Sequence, residues 1–272
     1  MATNTEWADQ AKPQGNINVW QVSFIVLTLL GITFCEYVFA YQNVAYGIGI
    51  AIGLVITIYI LLSVLHFDGR ISQSIESMAL IPLYIIFTSC LPWFLINQQF
   101  LLPAVYACIL ALCFWHIYRN NINLSQLFNF DKRKLLKYAL IGIVIGIPSG
   151  TVEYLILRPA ASAPTFEFPF FFRDVIYMVV FVGLAEELLF RGLIQRDLTA
   201  AFGWKKALLG TSFLFAVMHM TWRSIPELFF VFGAALILGG LYLKTKSLIA
   251  PILFHAVNNI MLVSVVPYFF MK

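Results

Sequence analysis

Three short patterns place polar side chains at helical spacing inside apolar sequence. The first is Ala185-Glu-Glu-Leu-Leu-Phe-Arg191, the second Phe215-Ala-Val-Met-His219, the third His255-Ala-Val-Asn-Asn259. Residues four apart share a helix face, so Glu187 and Arg191 are spaced to pair. Glu186 points about 100° away and lacks that partner. A carboxylate accepts a proton, an imidazole accepts or donates one, and a carboxamide donates hydrogen bonds. Together such groups could supply general acid–base chemistry and hydrogen-bond donors for a developing negative charge. A serine nucleophile is not indicated, because GxSxG is absent and Ser212 has no base beside it on its face.

The rest of the chain is unusually apolar. Of 272 residues, 61% are hydrophobic and 11% charged, against roughly 45–50% and ~25% in a soluble domain. With a mean hydropathy of +0.87, the chain is not a soluble globular enzyme, a disordered protein or an ordinary nucleic-acid binder. It reads as an all-α, polytopic transmembrane bundle whose surroundings are the lipid bilayer. A charge near mid-bilayer costs about 2.5–3.5 kcal/mol on insertion scales, so each of the polar patterns needs a reason.

Apolar runs at about 19–40, 44–65, 78–96, 101–118, 138–157, 174–195, 206–222, 225–243 and 248–270 predict about nine helices, or eight if the short seventh run does not span. Backbone polar groups in lipid must be satisfied within the segment, which selects helices over open strands. With the N-terminus inside, the tail and even-numbered loops carry thirteen of the seventeen Lys and Arg. Only Arg158, Arg173, Arg223 and Lys272 fall outside. That bias predicts a cytoplasmic N-terminus, an external C-terminus and a count of nine that any error would disturb. The polar N-terminal tail, with Lys12 as its one cation, has no removable signal pattern, so the first apolar run is expected to stay as a helix.

The long polar break at 118–137 ends in a basic stretch, Asp131-Lys-Arg-Lys-Leu-Leu-Lys137. It divides an N-terminal tail and four-helix extension (1–137) from a five-helix part (138–272), with the polar patterns in about 174–272. Gly49-x-x-x-Gly53, Gly142-x-x-x-Gly146 and Gly146-x-x-x-Gly150 are expected to let helix backbones approach closely. Cys35, Cys90, Cys108 and Cys113 show no CxxC or metal spacing and read as small buried hydrophobes.

Counting from flanking cations, Glu186 lies about 15 Å, His255 about 14 Å and His219 about 20 Å from the ends of their helices. Similar depths predict one shared cavity opening toward the cytoplasm. Three uses of it stay open. The carboxylates and Arg191 could form only a helix-joining ion pair. Glu186, His219 and His255 could ligate a catalytic zinc, although HExxH is missing. A transporter, immunity protein or scaffold could bind through the cluster, with Glu36 and Glu153 along a path, although both sit where interfacial placement would explain them.

The three patterns, in this order and spacing, resemble the motifs of the CAAX prenyl protease and bacteriocin-processing (Abi) family of integral-membrane endopeptidases, over about 174–272. The resemblance implies a type II CAAX endopeptidase-like protease without a cofactor. Its substrate would be a membrane-associated peptide or a prenylated protein C-terminus. Carried onto this chain, Glu186 with His219 would activate water, and His255 with Asn259 would hold the oxyanion. Glu187, Arg191 and Phe215 would support them.

Overall fold

The computed structural model describes residues 18–129 and 131–270. The N-terminal tail with Lys12, and Lys272 at the other end, lie outside the described residues. Every described element is a helix or a turn. In order these are α1 (Val19–Gln42), α2 (Val44–Val64), α3 (Gly69–Ser89), α4 (Gln98–Arg119), the short α5 (Leu124–Phe128) and α6 (Lys132–Leu157). They continue with α7 (Phe168–Phe202), α8 (Trp204–Met218), α9 (Ile225–Thr245) and α10 (Ile249–Phe270).

Eight of these helices are long and apolar enough to cross a membrane, all except α5 and α8. The chain is an integral, multi-pass membrane protein. The seventh apolar run makes a helix of only 15 residues, followed by a tight 3-10 turn at His219–Trp222, so the count among the described residues is eight rather than nine. The third helix also starts earlier than its apolar run. Asp68 caps it, accepting from the Arg70 N–H and gripping the Arg70 guanidinium at 3.0 Å, which holds a polar first half in helical form. Asn43, Asn97 and Asp131 cap α2, α4 and α6 in the same way.

The helices divide into two compact units. One holds α1, α2, α3 and residues 189–223. Its small-residue contact is at Gly47, where a Cβ would meet the Phe39 backbone. Gly49 and Gly53, expected to be a packing motif, have open space beside them. They lie on the exposed face that α2 shares with Ile52, Ile56, Ile60 and Val64, a row suited to lipid. Cys35 is buried in this unit as expected, but Cys90 is exposed; all four cysteines are free thiols.

The second unit holds residues 92–188 and 224–270, and its centre is α10. Here the glycine stripe on α6 does what its spacing predicts. A Cβ on Gly142 would come within 2.5 Å of the Ala250 carbonyl oxygen, and one on Gly146 within 2.7 Å of that of Phe254. One on Gly150 would overlap the Asn258 carbonyl. With hydrogen in those places, α6 packs backbone to backbone on α10 and fixes the helix that bears His255 and Asn259. Gly183 gives α7 a similar approach to the Ile252 carbonyl.

Candidate active site

Glu186 and Glu187 stand on a single α-helical turn of α7, Leu184–Glu187, between two stretches of wider i→i+5 turns at Tyr177–Gly183 and Leu188–Gln195. Such turns are rare in helices and gather at functional sites. Both glutamates are buried, Glu186 at 8% exposure and Glu187 at 0%, and so is His255 at 6%.

One imidazole serves both carboxylates. His255 Nδ1 lies 2.8 Å from Glu187 Oε1, and its Nε2 lies 3.8 Å from Glu186 Oε2. The two glutamates diverge on their own helix, as the 100° step requires, yet the ring on α10 is reached by one at each nitrogen. An ionised Glu187 oxygen can only accept, so in that pairing Nδ1 carries the hydrogen. At 3.8 Å the Glu186–Nε2 pair is too long for a direct hydrogen bond. A water touching both groups would sit beside the pair and not between its two atoms.

Glu186 has a second partner that the sequence patterns did not reveal. The Tyr106 hydroxyl, on α4, donates to Glu186 Oε1 at 2.7 Å. The only sequence clue is general: a tyrosine in the middle of an apolar helix needs somewhere to place its hydroxyl.

Asn259 is half-buried, one turn beyond His255 on the same face of α10. Its neighbour Asn258 points elsewhere and donates to Glu153. Glu153, on α6, also faces Glu227, on α9. All three are buried, so Glu153 packs among neighbouring helices. A third polar knot lies near the other end of α10. Asp174 accepts from Ser162 and Ser264 and pairs with Arg173 at 2.7 Å, tying the 158–167 connection to α7 and α10.

The other predicted residues, Arg191, Phe215 and His219, belong to the first unit. There the Phe-x-x-x-His spacing has two physical consequences. The Phe215 carbonyl, which can only accept, lies 2.8 Å from His219 Nδ1. That bond places the hydrogen on Nδ1 and leaves Nε2 of a neutral ring as an acceptor. The Phe215 ring is the platform for Arg191, whose guanidinium carbon is 4.4 Å from its centroid, while Phe190 meets it edge-on at 4.8 Å. Arg191 is fully buried, and the aromatic face offsets part of the cost of burying its charge. His219 is half-buried at the start of the 3-10 turn, where α8 ends.

Among the described residues, no three His, Cys, Asp or Glu side chains are grouped to hold a metal ion.

Fold and site thus define a class: a polytopic helical membrane protein with paired buried glutamates around a histidine. Residues 168–261 match the family model described as type II CAAX prenyl endopeptidase, Rce1-like. The matched stretch runs from the start of α7 to Met261 and carries all three motifs, so the resemblance drawn from them also stands on an independent comparison. Over that stretch the chain is similar to membrane endopeptidases of the CAAX type. No curated protein and no solved structure matches the chain.

Proposed function

We propose that the protein is an intramembrane endopeptidase that cleaves a membrane-associated peptide, with a prenylated CAAX-type C-terminus as the favoured substrate, by glutamate-activated water. The observation that carries the reading is Glu186 and Glu187 bracketing the two nitrogens of His255, within the segment that matches the endopeptidase family.

In the proposed reaction Glu186, assisted by His219, takes a proton from water, and the hydroxide oxygen adds to the substrate carbonyl carbon. The carbonyl oxygen becomes an oxyanion, which receives hydrogen bonds from Asn259 and from protonated His255. Glu187 supports that role: its carboxylate holds Nδ1–H and balances the imidazolium, so that Nε2–H can be donated to the oxyanion. The proton on Glu186 then passes to the leaving nitrogen as the C–N bond breaks. Arg191 and Phe215 support His219 through the ring platform and the backbone carbonyl.

In this reading the catalytic part occupies about 174–272 and opens toward the cytoplasmic side, while residues 1–137 precede it as an extension of four membrane helices. The test is cleavage by the purified full chain of a farnesylated peptide ending in a CAAX sequence. Wild type should release the last three residues and Glu186→Gln should not. Equal cleavage by both would end the proposal.

A further inference from the structure

We infer that Tyr106, on α4 and outside the 168–261 stretch, is a positioning residue for the catalytic base. The inference rests on the reading of Glu186 as that base. Its observation is the 2.7 Å hydrogen bond from the Tyr106 hydroxyl to Glu186 Oε1, reaching across 80 residues of sequence.

A carboxylate on a flexible glutamate side chain has two equivalent oxygens and several rotamers. The phenol removes that equivalence. With Oε1 held, Oε2 is the oxygen turned toward His255 Nε2, 3.8 Å away, and a water serving both would lie beside that pair. A phenol suits this task because it is a donor on a rigid ring, set by two torsions and anchored in an otherwise apolar helix. Helix α4 packs directly on the Tyr177–Gly183 and Leu184–Glu187 stretches of α7, so the hydroxyl is delivered by a helix already fixed against the one it serves. One helix of the N-terminal extension is therefore part of the working site.

Tyr106→Phe removes one oxygen and leaves the ring. In full-chain protein reconstituted in liposomes, with the farnesylated peptide, kcat should fall about ten- to hundredfold, KM should stay within about twofold, and Tm should be unchanged. Combined with Glu186→Gln, the substitution should cost nothing further, because the group it acts through is gone. A purely structural tyrosine would lower Tm and leave kcat alone, which would overturn the inference. So would full activity in Tyr106→Phe. Full activity in Glu186→Gln is a different failure, that of the base assignment itself. Infrared difference spectra provide an arm that needs no substrate: the carboxyl band lost in Glu186→Gln should shift in Tyr106→Phe. An unmoved band would show that no such hydrogen bond exists.

Discussion

The glycine stripe of α6 and the glycine pair of α2 have the same spacing but opposite surroundings, which makes them a test of the packing account. A Cβ on Gly146 would lie 2.7 Å from the Phe254 carbonyl oxygen and 2.9 Å from Val257 Cβ, where ordinary contact begins at 3.4 Å. Gly146→Ala therefore requires α6 and α10 to separate by roughly 0.7 Å, against repulsion from backbone atoms that cannot rotate away. Overpacking of this kind costs about 1–3 kcal/mol. At about 2–4 °C per kcal/mol for a chain of this size class, Tm should drop by several degrees. Gly150→Ala should be worse, because the added carbon would overlap the Asn258 carbonyl. The displaced helix carries His255, whose 2.8 Å contact with Glu187 sits close to the limit of a good hydrogen bond after such a shift, so cleavage should fall as well. Gly49→Ala and Gly53→Ala meet nothing, and alanine favours a helix over glycine by about 0.8–1.0 kcal/mol; both should be neutral or slightly stabilising. Thermal unfolding in one detergent, with cleavage measured alongside, compares the four. A wild-type Tm in Gly146→Ala, or an equal loss in Gly49→Ala, would refute the packing argument.

Other expectations follow from single contacts. Glu187→Gln keeps an acceptor for His255 Nδ1 but removes the charge that balances an imidazolium, so kcat should fall about ten- to hundredfold in a cleavage assay with little change in folding. Asn259→Ala removes one oxyanion donor and should cost about 10²–10³ in rate, measured on the same peptide. Phe215→Leu takes away the platform under Arg191 but retains the backbone carbonyl that fixes His219. Its main effect should be a loss of about 0.5–2 kcal/mol in stability, read by thermal unfolding. Asp68 outside α3 is held below the ordinary carboxyl range, first by its side-chain hydrogen bond from Arg70. Its stabilisation should be present above that range and lost as pH falls through its depressed value, so Asp68→Ala should flatten the acid limb of the stability profile.

Most helices were legible because lipid leaves the backbone no alternative, and eight of the nine apolar runs correspond to span-length helices. The seventh did not qualify because its helix ends at Met218, 15 residues after it starts. Charge counting could not have exposed this. If α8 does not cross, Arg223 and Lys272 join the cation-rich side while Lys244 and Lys246 leave it, and the split remains thirteen to four. The contrast thus sets orientation without setting the number of crossings, and labelling of cysteines placed at the two termini should find both on the same side. At the site, local sequence brought out Glu186, Glu187 and His255, because ionisable residues stand out in apolar helices. It offered Glu187 only Arg191 as a partner, whereas its hydrogen bond to His255 spans 68 residues. Tyr106 was hidden for the same reason: a lone tyrosine has no periodic companion, and its partner is distant in sequence. Asn258 and Glu227 complete buried contacts with Glu153 that only the packing of α6, α9 and α10 creates.

The central claim is that a carboxylate at position 186 activates water, and Glu186→Gln tests it most directly, since it preserves shape and most hydrogen bonding while removing the proton acceptor. Cleavage of the farnesylated peptide should collapse while the variant keeps the wild-type Tm and still binds peptide, and wild-type activity should persist in a strong chelator. Undiminished cleavage by Glu186→Gln would contradict the account. Chelator-abolished, zinc-restored cleavage by the wild type would contradict it equally, by transferring the chemistry to a metal.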